Sequence, residues 1–142
     1  MNVPRLPEPA ATRAHADFEA ICALLGEYFD GLHHGDTARL RRVFLPQAQY
    51  LCIRDGALTC LAMAPYFEIV DRRPAPASRG EPREDLIRSI DFAGPSAAVA
   101  RVGCRIGTRR FDDILSLLKL DGRWRIAAKV FDECDIPATT CT

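Results

Sequence analysis

No stretch of this chain approaches the ~20 consecutive apolar residues that a membrane-spanning helix requires, so no membrane partner is expected. The opening MNVPRLPEPAATRAH holds three prolines and no apolar block, which argues against a secretory signal. An excess of charge of one sign is lacking as well. Lys plus Arg and Asp plus Glu stand at 19 each, for a formal net charge of +0, and nucleic-acid binding is therefore not expected. The cluster Arg39, Arg41, Arg42 reads as a solvated helix face. The cysteines, Cys22, Cys52, Cys60, Cys104, Cys134 and Cys141, form no C-x-x-C pair and no ligand spacing with His15, His33 or His34, so neither a zinc site nor a redox pair is indicated. Reduced thiols and a cytoplasmic location are the expectation. Gly103 and Gly107 sit inside a strand pattern and open no helix, which excludes a nucleotide fingerprint. Ser116 has no base beside it and points outward, so a serine hydrolase is not indicated. Nothing calls for a cofactor.

What is present is the makeup of one globular domain. The chain has 142 residues, 48% of them hydrophobic and 27% charged, enough for a core that needs no metal or disulfide. Residues 1–11 read as a leader, 12–133 as a single domain and 134–142 as a short tail. From about Thr12 to Leu32 the apolar residues Phe18, Ile21, Leu25, Tyr28, Phe29 and Leu32 recur at helical spacing, with Gly35 as the C-terminal cap. Asp36 caps a second helix, which Pro46 is expected to stop. A hairpin turning at Asp55-Gly56 follows, with Cys52 opposite Thr59, and then a third helix from near Pro65 to about Asp71. The segment RRPAPASRGEPRE is too polar for a core element. After it the chain reads as four antiparallel strands. Helices packed on one face of a sheet give an α+β domain.

The last hairpin, FDDILSLLKLDGRWRIAAKVF, turns at Asp121-Gly122. Alternation then assigns Phe111, Asp113, Leu115, Leu117, Trp124, Ile126, Ala128 and Val130 to the helix side. The outer side receives Asp112, Ile114, Ser116, Leu118, Arg125, Ala127, Lys129 and Phe131. Asp113 is thus a carboxylate among apolar side chains, expected opposite Val130. A buried carboxylate costs several kcal/mol unless it is paired, hydrogen-bonded or protonated. Two readings follow. Asp113 is either an acid or base for proton transfer, or the partner of a loop arginine, Arg79 or Arg83. A slip of one residue would exchange it for Asp112.

The segments YFDGLHHGDTARLRRVF, YLCIRDGALTCL, RPAPASRGEPRED, SIDFAGPSAAVARV and FDDILSLLKLDGRWRIAAKVF resemble, in that order, the putative lumazine-binding family. That family belongs to the nuclear-transport-factor-2-like superfamily, with ketosteroid isomerases and SnoaL-like polyketide cyclases. The likeness spans about Asp17 to Phe131. It implies a cone of three helices around a strongly curved, mostly antiparallel sheet, and a homodimer through the outer sheet face. By resemblance to the isomerases, Asp113 takes the acidic part and Tyr28, Tyr50 or Tyr66 supplies a phenol; no residue matches their general base.

The expectation is a small-molecule-binding protein with a hydrophobic cone pocket whose ligand the sequence does not name. The alternatives are an isomerase, cyclase or dehydratase that works through Asp113 and Tyr28, and a non-catalytic assembly or regulatory subunit. Tyr50, Tyr66, Phe111, Arg79 and His33 are carried as ligand contacts. His33 and His34 also close the first helix, where an imidazole offsets the helix dipole. No metal ligands are assigned.

Overall fold

The computed structural model describes residue 4 and residues 9–137. Most of the expected leader, and residues 138–142 with Cys141, lie outside the described residues. The elements are α1 (Ala10–His34), α2 (Thr37–Val43), β1 (Phe44–Arg54), β2 (Ala57–Leu61), α3 (Met63–Arg72), a 3-10 turn (Pro76–Arg79), β3 (Leu86–Phe92), β4 (Ala97–Ile106), β5 (Arg109–Leu120) and β6 (Arg123–Asp135). The three helices pack on one curved sheet of six strands, in the order β2-β1-β6-β5-β4-β3. Among the described residues only the β1–β6 pair is parallel. Among the described residues no helix is long and apolar enough to cross a membrane. The five described cysteines are free.

Local chemistry sets the boundaries. Gly35 takes φ +61°, and the N–H groups of Gly35 and Asp36 donate to the carbonyls of Leu32 and Gly31. This paired closure satisfies carbonyls that the ending helix leaves free, and glycine enters the left-handed region at no steric cost. Asp36 then caps α2, its Oδ1 accepting from the Arg39 N–H at 3.0 Å. Both Asp-Gly pairs form the mirror-image turn that matches strand twist: Asp55 and Gly56 at φ +52° and +76°, Asp121 and Gly122 at +52° and +75°. Cys52 faces Thr59, as expected.

Pro46 does not stop a helix. The helix ends at Val43, and Pro46 lies within β1, where the pairing with β6 shifts register between Phe44 and Gln49. Proline has no N–H to give a ladder, and an irregularity of this kind is where a strand tolerates it.

The β5–β6 hairpin departs from simple alternation once. From the turn outward Leu120 pairs with Arg123, Lys119 with Trp124 and Leu117 with Ile126, but Ser116 then pairs with Ala128. Ala127 is the extra residue of a β-bulge, which advances everything beyond it by one. Asp113 therefore faces Phe131 instead of Val130. Lys129 and Phe131 turn to the helix side and are buried, while Val130 turns outward. On β5, where no residue is inserted, Phe111, Asp113, Leu115 and Leu117 face inward as read from the sequence.

Candidate functional site

Toward the open end of the β5–β6 hairpin a carboxylate and an ammonium are both nearly inaccessible: Asp113 is 1% exposed and Lys129 3%. The apolar period of α1 puts Tyr28 on the face shared by Ile21, Leu25 and Leu32. Its hydroxyl donates to Asp113 Oδ2 at 2.6 Å, across 85 residues of sequence. That is the short distance expected when a hydroxyl donates to a charged oxygen. The second oxygen, Asp113 Oδ1, is buried and has no hydrogen-bond donor.

Lys129 reaches the same interior from β6. Its Nζ lies 3.4 Å from the Tyr66 hydroxyl of α3. Five rings surround it: Phe131 at 5.0 Å to the centroid, Tyr66 at 5.2 Å, Tyr28 at 5.4 Å, Tyr50 at 5.8 Å and Phe111 at 5.9 Å. Each is close enough for its negative face to attract a cation, an effect worth about 2 kcal/mol or more when water is excluded. No direct ion pair joins Lys129 to Asp113. Of three possible N–H donors on the ammonium, the long contact to Tyr66 engages one.

The titration of these groups follows from burial and mutual charge. Burial pushes the Tyr28 phenol well above its ordinary value, and the Asp113 charge beside it adds to the effect. Tyr66 is raised by burial and partly brought back by Lys129. Burial is the largest single influence on Lys129 and opposes its charge; Asp113 leads the groups that overcome it, and its pKa lies above the usual lysine value. Burial, and then Asp113, push the Cys104 thiol up to about 12. At neutral pH the interior therefore holds neutral phenols, a neutral thiol and a lysine ammonium.

Tyr28, Tyr50, Tyr66, Phe111 and Asp113, all singled out from the sequence, meet in this one interior. Tyr50 packs its ring 4.8 Å from Tyr66 and 4.8 Å from Phe131, and its hydroxyl accepts from Arg54 Nη2 at 3.4 Å. Two candidates lie apart from it. Arg79 is exposed on the 3-10 turn. His33 is half-buried at the end of α1, with its ring against His34 and its pKa lowered by burial and by Arg83. Neither Arg79 nor Arg83 pairs with Asp113. Arg83 instead bridges Asp30 at 2.7 Å and Asp85 at 2.8 Å, tying the polar loop to the end of α1. Two hollows lie near these elements. One, about 570 Å³, runs between the first half of α1 and the β5–β6 turn. The other, about 430 Å³, lies over the outward side chains Ile53, Leu58, Ile114 and Val130, and Asp113 and Phe131 also contribute to its lining.

Sequence reasoning missed two residues. Lys129 was assigned outward because the bulge cannot be seen in a strict two-residue period. Arg73, just past α3, falls in the segment read as too polar for a core element, yet its Nη2 is buried and has no acceptor. Its signal was helical spacing, since residues 66, 70 and 73 share a face.

The putative lumazine-binding family matches residues 16–132. The structure resembles a nuclear-transport-factor-2-like protein of unknown function from Silicibacter pomeroyi, with 26% identity and a TM-score of 0.77 over 85% of this chain and 98% of that one. A second such protein of unknown function, from Shewanella baltica, has 26% identity and a TM-score of 0.77 over 90% of this chain and 98% of its own. Among curated proteins the chain is similar to Aldolase FrzH of a Cladobotryum species, at 22% identity over 118 residues, or 82% of this chain and 90% of the relative.

Proposed function

The chain belongs to the putative lumazine-binding family, and from that premise we propose that it binds a small carbonyl compound and moves a proton next to its carbonyl group. The observation that carries this reading is the buried Tyr28–Asp113 contact of 2.6 Å, which leaves Asp113 Oδ1 as a free acceptor in an interior that also holds the Lys129 ammonium. Tyr28 fixes the carboxylate through Oδ2. Oδ1 takes a proton from the carbon next to the carbonyl, the C–H pair becomes the new C=C bond, and the carbonyl π pair moves onto oxygen. The resulting enolate oxygen is held opposite Lys129 and Tyr66, which offset its charge without reorganising. Return of the proton to another carbon gives an isomer; loss of a β-hydroxyl gives dehydration; attack on a second carbonyl is the chemistry named for the Cladobotryum relative.

Exchange of α-protons for deuterium tests the reading without knowledge of the product. Small ketones and aldehydes are incubated with protein in D2O and followed by NMR. Wild type is expected to accelerate exchange of at least one, and Asp113→Asn to lower that rate by about 10²–10⁴-fold. Binding without accelerated exchange would instead make the protein a carrier of small molecules. No binding and no exchange would leave an assembly or regulatory role.

A second copy of the chain is the partner this reading includes. Ile53, Leu58, Ile114, Leu118 and Val130 are exposed on the outer side of the sheet, an apolar patch of the kind that marks an interface. Sedimentation at micromolar concentration should give a dimer, and a monomer would remove this part of the reading.

A further inference from the structure

Resting on that reading, we infer that the substrate carries a carboxylate and that Arg73 is the residue that receives it. Arg73 closes α3, its N–H donating to the Ile69 carbonyl at 3.1 Å. It follows Tyr66 and Val70 by seven and three positions, so it continues the buried face of that helix. Its guanidinium Nη2 is buried, has no acceptor, and Arg73 makes no ion pair among the described residues. The charge is felt by Tyr66, Cys104 and Lys129, the groups that line the interior from α3, β4 and β6.

The charges facing this end of the interior do not balance. Lys129 and Arg73 are cations. Asp113 is the facing carboxylate, with one oxygen already taken by Tyr28; Asp85, whose charge also reaches Cys104, is held by Arg83 at 2.8 Å. Arg73 as a whole is half-buried, but a buried donor left without an acceptor is costly. A ligand carboxylate removes that cost, and a guanidinium fork suits its two oxygens better than any neutral acceptor. The free groups then sort by role: Arg73 for the carboxylate, Lys129 for the carbonyl oxygen, Asp113 Oδ1 for the proton. A small oxo acid has all three features.

Matched pairs of oxo acid and primary amide test this: pyruvate and pyruvamide, 4-oxopentanoate and its amide, phenylglyoxylate and phenylglyoxamide. Binding of each is measured by calorimetry on wild type, Arg73→Lys and Arg73→Gln. At least one acid is expected to bind wild type about 10–100-fold more tightly than its amide, the effect of one hydrogen-bonded charge. Arg73→Gln should abolish the preference and Arg73→Lys should keep part of it. If no acid outbinds its amide on wild type, or the preference survives Arg73→Gln, the inference is overturned. The two readings fail separately. Full α-proton exchange in Asp113→Asn would sink the proton-transfer reading while leaving an acid preference intact, and loss of the preference would leave the Asp113 effect intact.

Discussion

The two ends of the β5–β6 hairpin each hold a buried carboxylate that meets α1, and they treat it differently. At the turn end Asp17 is 8% exposed, and its Oδ1 accepts from both Lys119 Nζ at 2.9 Å and Trp124 Nε1 at 3.0 Å. At the open end Asp113 is 1% exposed, with one phenol on Oδ2 and nothing on Oδ1. Lys119 is a third exposed along its side chain, so water shares its charge. Lys129 has rings where Lys119 has water. The first arrangement spends its donors on the carboxylate and fastens a helix to a hairpin. The second keeps an acceptor and N–H donors in reserve. A group left under-satisfied in a dry interior lowers stability and gains use only when something else arrives to pair with it.

The lysines should differ most. Lys129→Met is expected to destabilise the protein by ~3–5 kcal/mol in urea unfolding, because it leaves Asp113 buried without its nearby cation. Lys119→Met should cost about 1 kcal/mol or less, since a partly exposed pair contributes little. Adding Asp113→Leu to Lys129→Met should recover much of the loss, as removal of both charges often does. Equal costs for the two lysines would end the distinction between a fastening and a poised carboxylate.

How much of this was legible depended on whether a local period survived folding. Asp113 and Tyr28 could be placed because β5 keeps its two-residue alternation and α1 its 3.6-residue one. The family likeness agreed with both, and the match over residues 16–132 confirms the family. Lys129 could not be placed, since a single inserted residue reverses every later side chain on β6. A trace was there: pairing Phe131 outward and Ala128 inward put the large ring in water and the small side chain in the core. An inward Asp113 also called for a cation, and the loop arginines were the nearest that the sequence offered. They were the wrong choice because Arg79 is exposed and Arg83 is engaged by Asp30 and Asp85. Those acids compete from α1 and from the loop itself, and only the folded chain brings them together. Pro46 misled for a related reason: proline ends a helix by lacking an N–H, and the same lack is harmless where a strand skips a rung.

The smallest expected effect sharpens the contrast from the other side. The hydrogen bond from Lys119 holds the Asp17 carboxyl below its ordinary value, with burial opposing and Trp124 assisting. A carboxyl depressed in the folded state gives stability that is fully present above the unfolded value of ~3.9 and is lost as pH falls through the folded value. Asp17→Asn keeps the oxygen that accepts from both donors and removes only the charge. At neutral pH it should cost about 1 kcal/mol, and the gap between wild type and variant should close in acid, below roughly pH 4. Asp30, depressed by its hydrogen bond from Arg83, and Asp36, depressed first by the backbone N–H of Arg39, lie in both proteins and cancel in the difference. Chemical denaturation at a series of pH values reads the gap directly. If it stays constant into acid, the charge of Asp17 contributes nothing, its hold on the hairpin is packing and neutral hydrogen bonding, and the turn end is no longer a reference for what a satisfied carboxylate does in this fold.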